Sequence, residues 1–408
     1  MNCRHCGTPL EITFVDLGSA PPSNAFLTAQ TLSEPETWLP LRVLVCGECW
    51  LAQTEDFARP EELFRPEYAY LSGVSSSWRA HCERYVERVV ERFGLGADSR
   101  VVEVAANDGT LLRFFQARDI PNLGVEPTAG TAAAAREQGL AVVEEFFDLR
   151  LARTLVAEGG PAHLVVANNV LAHVPDINGF AAGFAVLLAP EGVATFEFPH
   201  LVELVEGVQF DTIYHEHYSY LSLSAVARVF ALAGLAVFDV ERLPTHGGSL
   251  RVFAHRVDGE RRPRSAAVDE MLRFEEQKGL TTPAYYAGFQ ARAERVKDDF
   301  LAFLLAAKAE GKTVAAYGAA AKGNTLLNFA GVRPDLVPFV VDRSPVKQGA
   351  FLPGSRIPVV APSMLTDQRP DYLLILPWNI APEVKQQNAR LAERGTRFVT
   401  AVPKLEIE

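Results

Sequence analysis

Within ten positions, Asp211-Thr212-Ile213-Tyr214-His215-Glu216-His217-Tyr218-Ser219-Tyr220 gathers two histidines, a glutamate and three tyrosines. Three chemistries compete for such a stretch. In a strand, His215 and His217 would share one face, because side chains alternate, and could ligate a metal. The polar groups could equally do no more than hydrogen-bond beneath a loop. Or an imidazole takes a proton, a carboxylate steadies the ring, and phenol hydroxyls hold the negative charge that develops. No third metal ligand follows from this spacing, so proton transfer is the reading carried forward. Glu216 and His217 are neighbours and would point apart in a regular strand, so an irregular loop is expected here.

Four of the five cysteines fall in two pairs, Cys3-x-x-Cys6 and Cys46-x-x-Cys49. A Cys-x-x-Cys turn with a glycine inside it or just after it lets two thiolates converge, and two such turns complete a tetrahedral zinc site. The alternative is a set of free or redox-active thiols. Four thiolates leave no open coordination position, so this zinc is expected to fold its module rather than to catalyse. His5 lies between ligands as a bystander. Cys82 sits in a helical pattern as a packing residue.

These residues need elements to position them. A chain of 408 residues, 48% hydrophobic and 22% charged, is globular and long enough for two or three cores. Its formal net charge of −11 argues against nucleic acid and anionic membrane as partners. It has no apolar run of bilayer length and no apolar leader, so a cytoplasmic, reducing setting and a monomer are expected. In the middle, "SRVVEVAANDGTLLRFF" reads as a short apolar strand, a turn through Ala105-Ala106-Asn107-Asp108-Gly109, and a helix. "NLGVEP", "AHLVVANN" and "GVATFEFP" add strands. Strands alternating with helical stretches predict a parallel α/β sheet, with ligands at the carboxyl ends of the strands. The turn is acidic, with Glu103 and Asp108 flanking it, which suits a cation better than a pyrophosphate. Glu126, ending the next strand, is placed to hold two ribose hydroxyls. A ligand with a sulfonium, an ammonium and a ribose but no phosphate fits: S-adenosylmethionine. The donor site is assigned to Glu103, Ala105, Asn107, Asp108, Glu126, Pro127, Asn168 and Asn169.

"EVAANDGTLL", "GVEP", "NNVLAHVPD", "FDTIYHEHYSYLS", "HGGSLRVF" and "YGAAAKGNTLLN", together with the four-cysteine module, cover the whole chain. The set resembles the S-adenosylmethionine-dependent sugar C-methyltransferases that act on dTDP-linked 4-keto-deoxyhexoses in antibiotic-sugar pathways. One departure is that Ala105 and Ala106 stand where many methyltransferases of this fold carry glycine. The resemblance implies methylation at C3 through an enolate, with C5 as the alternative. It implies that His217 is the base, Glu216 its supporting partner, and Tyr214 the donor to the keto oxygen. His173 and Tyr68 are implied as further active-site groups, with Tyr70 and Ser72 near the substrate.

Toward the C-terminus, Phe289, Val296, Phe300, Phe303 and Leu304 recur at helical spacing and form a core stripe. "KTVAAYGAA", "LVPFVVD", "IPVV" and "DYLLILP" then read as a second α/β unit. Small residues opening its first helix expose amide hydrogens, and Lys322 adds charge, so a diphosphate would fit there. Lys322, Asn324 and Arg343 are assigned to the nucleotide end of the sugar substrate. The expected architecture is a zinc module (1–75), a methyltransferase domain (76–260) and a C-terminal Rossmann-like domain (261–408). A nicotinamide-dependent sugar-nucleotide oxidoreductase is the alternative from another class, although the dinucleotide fingerprint G-x-G-x-x-G is missing.

Overall fold

The structure is a computed structural model, and it describes residues 1–64 and 71–408. Tyr68 and Tyr70 lie outside the described residues. Among the described residues the strands form sheets of four, seven and six members.

The first sheet has the order β1 (Ile12–Ala20), β2 (Leu39–Val45), β3 (Ala52–Thr54) and β9 (Ser219–Tyr220). β9 comes from far along the chain. It pairs antiparallel with β3, Ala52 opposite Tyr220 and Gln53 opposite Ser219. The stretch that opened the sequence argument is therefore clamped to the sheet behind the cysteines.

The central sheet is built on β4 (Val101–Val104), whose four residues are all buried. Three of the four are valines, as in parallel strands covered on both faces, and Glu103 is the polar exception. β5 (Asn122–Val125) pairs with one side of β4 and β7 (Ala162–Asn168) with the other, both parallel. β6 (Val142–Val143) extends the sheet beyond β5, and β8 (Leu188–Pro199) follows β7. The strands β10 (Leu235–Leu243) and β11 (Ser249–Arg256) close that edge antiparallel. With successive connections leaving β4 in opposite directions, a crevice opens at the carboxyl ends of β4, β5 and β7. The helix Ser76–Phe93 leads into this sheet. It starts where the Ser75 side chain accepts from the Trp78 amide and stops at Gly94, which adopts φ 62°. Such a serine cap is worth about 1 kcal/mol.

The third sheet repeats the plan. β12 (Val314–Tyr317) is flanked by β13 (Val340–Val341) and β15 (Tyr372–Ile375), parallel to both. β14 (Val359–Val360), β16 (Arg397–Thr400) and the antiparallel β17 (Glu406–Ile407) complete it. On the helix Phe289–Ala309, Phe289, Val296, Phe300 and Leu304 are buried and Phe303 is partly buried. They share one apolar core with Phe14, Val15 and Val43 of the first sheet, with Leu374 of the third and with Leu326 of the helix Ala321–Phe329. The helix Ala266–Lys278, in the stretch assigned to the C-terminal domain, instead sends Val268 and Met271 into the core of the central sheet.

Candidate active site and cofactor sites

Cys3, Cys6, Cys46 and Cys49 bring their sulfurs within 4.8 Å of one another. Cys3 and Cys49 are 3.4 Å apart, and Cys6 and Cys46 are 3.5 Å apart. Four sulfurs about 2.3 Å from a tetrahedral zinc ion would be about 3.8 Å apart, so the cluster fits the metal. Donors already point at the sulfurs. The amides of Glu48 and Cys49 approach Cys46 Sγ at 3.4 and 3.5 Å, and Gln53 Nε2 approaches Cys3 Sγ at 3.3 Å. His5 points elsewhere, to Asn178 Oδ1 at 2.8 Å. The residue after β3's Gln53 then reaches the loop that carries His217, because Thr54 Oγ1 donates to the His217 carbonyl at 3.0 Å.

At the carboxyl end of β4 the acidic turn forms a closed cradle. Ala105 and Asn107 adopt φ 60° and 52°, and Gly109 adopts 75°. The turn is tight enough that a Cβ on Gly109 would lie 2.2 Å from Leu140 Cδ1. Glu126 accepts from the amides of Asn107 at 2.9 Å and Thr128 at 3.0 Å. Each of its oxygens keeps a second lone pair for a ligand hydroxyl. Asp108 accepts from Thr110 Oγ1 at 2.6 Å and from the Gly73 amide at 2.8 Å, while Asn107 accepts from the Ser72 amide at 2.9 Å. Ser72 thus seats the segment before the first long helix against the turn.

Several polar atoms in this cradle are buried with no partner: Glu103 Oε2, both side-chain atoms of Asn168, and Asn169 Oδ1. Buried polar atoms are normally paired, so these mark where a ligand completes the site. Burial, then Asp108 and Glu126, raises the Glu103 carboxyl well above its ordinary value. A cation beside it would reverse that cost. Acidic and amide acceptors around a strained turn fit a sulfonium- and ammonium-bearing nucleoside.

The third region is the loop 213–218, irregular as its adjacent polar residues require. His217 is buried, and its Nδ1 lies 2.8 Å from the Thr212 carbonyl. A carbonyl only accepts, so Nδ1 carries the hydrogen and Nε2 keeps its lone pair. Burial, helped by His173 and Lys322, holds this imidazole well below its usual value. The Tyr214 and His173 rings lie 4.0 and 4.6 Å from it, centroid to centroid. His173 Nδ1 is 2.6 Å from the Glu216 carbonyl, and burial lowers its pKa to about 4.

Two residue assignments change. Glu216 does not steady His217. Its Oε1 accepts from the backbone and side-chain nitrogens of Asn24, both at 3.1 Å, because neighbouring side chains in the turn diverge. The steadying group is the Thr212 carbonyl. Asn324 does not line the cleft that Lys322 and Arg343 share. It is buried and donates to the Ser23 carbonyl at 2.6 Å, tying the C-terminal domain to the first module. The metal reading of this stretch also falls, since His215 Nε2 turns to the Pro40 carbonyl at 3.2 Å.

Lys322 and Arg343 both line a cleft of about 690 Å³ between the central and C-terminal sheets, together with Ser72. Lys322 Nζ sits 2.8 Å from Asn379 Oδ1 and 4.7 Å from the centroid of the Trp378 ring. Trp378 in turn donates to Asp211 Oδ2 at 2.7 Å. Burial raises the Asp211 carboxyl to about 6 against the pull of Lys322. Sequence reasoning missed Asp211 and Trp378, which meet across the domains, and Thr212, which acts through its backbone carbonyl. Local spacing carried no signal for them.

Family models match three successive parts of the chain: a candidate zinc binding domain over residues 3–64, a methyltransferase domain over 78–240, and a C-methyltransferase C-terminal domain over 244–403. The C-methyltransferase NovU of Streptomyces niveus is 37% identical over 404 residues, spanning 98% of this chain and 95% of that one. Among solved structures, a Pyrococcus horikoshii OT3 protein is 15% identical, covering 46% of this chain and 95% of its own, with a TM-score of 0.38. The magnesium protoporphyrin IX methyltransferase of Synechocystis PCC 6803 with bound SAM is also 15% identical, covering 44% and 79%, with a TM-score of 0.34. The methyltransferase and zinc-binding matches agree with the two cradles: the cofactors are S-adenosylmethionine and zinc. No helix among the described residues is long and apolar enough to cross a membrane.

Proposed function

Because the chain belongs to the C-methyltransferase family, we propose that it methylates C3 of a dTDP-linked 4-keto-deoxy sugar. The nicotinamide alternative is set aside by that membership. One observation carries the reading: His217 is held neutral, with Nδ1–H given to the Thr212 carbonyl and the Nε2 lone pair available. An O- or N-methyltransferase has less need of such a base, since its nucleophile already carries a lone pair. A carbon nucleophile must be made by removing a proton.

In this reading the ketone at C4 acidifies the C3 hydrogen. His217 Nε2 takes that proton, and the C–H electron pair moves into an enolate whose oxygen faces the Tyr214 hydroxyl. When held by Glu103, Asp108 and Glu126, S-adenosylmethionine would supply a sulfonium methyl group to the enolate carbon, the carbon–sulfur bonding pair remaining on a neutral thioether. No acid is needed for that neutral leaving group. His217 then gives its proton to water.

An imidazolium beside Lys322 and His173 is costly in this buried setting, so the proton moves only as negative charge forms on the substrate. That coupling favours a substrate whose carbonyl can take the charge. The cleft bearing Lys322 and Arg343 suits the diphosphate end. The test is incubation with methyl-labelled S-adenosylmethionine and a panel of dTDP-4-keto-deoxysugars, followed by NMR location of the label. Label on C3, with C3 hydrogen exchange in deuterated water, supports the reading. Label on C5 moves the site to the alternative position, and label on oxygen or nitrogen overturns the carbon nucleophile.

A further inference from the structure

The turn between β10 and β11 carries a histidine that none of the chemistry above uses. His246 adopts φ 54° and ψ 22°, a left-handed conformation costly for a residue with a side chain. Gly247 and Gly248 follow at φ 89° and 116°. A Cβ on Gly247 would lie 2.4 Å from Trp378 Cη2, and one on Gly248 would lie 2.5 Å from Glu203 Cγ. The turn is therefore pressed between the central sheet and the C-terminal domain. It is also tied down. Gln209 Nε2 donates to the Gly247 carbonyl at 2.8 Å, and Thr245 Oγ1 donates to Glu197 Oε1 at 2.9 Å.

This bracing holds the His246 ring 5.7 Å from that of Trp78, on the wall of the 690 Å³ cleft that also bears Lys322 and Arg343. Its Nε2 is buried and has no hydrogen-bond partner. Backbone strain and an unpaired nitrogen at one cleft-lining residue are two independent signs of a contact still to be made.

We propose that His246 positions the substrate by a hydrogen bond between its Nε2 and a neutral hydroxyl of the sugar ring. The inference rests on the sugar reading above. Burial and the nearby Lys322 lower the His246 pKa to about 4, so the ring stays uncharged at neutral pH. An uncharged ring has no special pull on phosphate, and Arg343 already stands in the cleft for that role. Lys322 within range disfavours an ammonium substituent. The methyl donor is met at the ends of β4, β5 and β7, whereas His246 stands at the far antiparallel edge of the sheet.

The experiment compares His246→Phe with the unaltered enzyme on a hydroxylated dTDP-4-keto sugar and on analogues lacking each ring hydroxyl in turn. Phenylalanine keeps a ring against Trp78 and removes the nitrogen. The variant should lose about tenfold in kcat/KM on the hydroxylated substrate, mostly through KM. It should change less than about threefold on one analogue, and its affinity for S-adenosylmethionine should stay the same. His246→Asn, tolerated at positive φ and able to hydrogen-bond, should recover part of the loss. Equal losses on every analogue, or none on any, overturn the proposal. If the unaltered enzyme methylates no 4-keto sugar in the panel, the substrate reading itself fails, and this inference fails with it.

Discussion

The central and C-terminal sheets share a plan and differ in charge. Both open a crevice beside their first strand, where the next connections leave in opposite directions. At the end of β4 the crevice presents Glu103, Asp108 and Glu126. At the end of β12 it presents Lys322, with Arg343 and Lys347 nearby. One crevice gathers carboxylates, and the other gathers two lysines and an arginine. The fold supplies the crevice, and a few side chains at strand ends decide what enters it. Neither of these sheets supplies His217, the proposed base, which stands on the loop 213–218.

The most severe test of that division is His217→Asn. Turnover should fall by about 10² to 10⁴, while calorimetry finds both ligands bound nearly as before. Should binding collapse with turnover, the loop belongs to a binding crevice after all. Glu126→Ala comes next. Losing hydrogen bonds to a carboxylate should weaken S-adenosylmethionine by about 10- to 100-fold and leave the Michaelis constant for the sugar nucleotide alone. A parallel rise in that constant would mean the two crevices are not separate.

Arg343→Ala is the mirror experiment. It should raise the sugar-nucleotide Michaelis constant by about tenfold and make it less sensitive to salt, with methyl-donor affinity unmoved. The smallest effect concerns stability. His173 binds its proton at about 4 when folded, against 6.5 as an ordinary histidine. The folded state therefore loses stability as pH falls through that window. His173→Asn lacks this loss, so its urea midpoint should gain on that of the unaltered enzyme between pH 7 and pH 4.5. A constant gap would argue that His173 is not buried as the neutral form.

Much of this was legible in the chain because it is local. The two Cys-x-x-Cys turns, the acidic turn after β4 and the alternation of strands and helices lie within short windows. The crowding of Tyr214 to His217 is local too, and the structure folds it as an irregular loop. What misled was the resemblance, which implied a carboxylate partner for His217 although adjacent side chains point apart. Glu216 looks like the partner of His217, yet Asn24 takes its carboxylate and the Thr212 carbonyl takes the imidazole. Asn324 sits in a motif that suggests anion binding, yet it is spent on Ser23. Asn24 and Ser23 lie across domain contacts, and the Thr212 group is a backbone carbonyl, which side-chain spacing does not reveal. The stretch "HGGSLRVF" carries no local sign of the His246 conformation or of its unpaired nitrogen, which come from the packing of the turn against Trp378 and Glu203.

The pairing of β9 with β3 has a consequence for modularity. The two residues just past Tyr218 serve as the outer strand of a sheet anchored by sulfur. An excised central unit would keep its nucleoside pocket but forfeit the fixed aim of its imidazole. Stripping the metal should be felt the same way, as a blunting of reactivity at a distance from any ion.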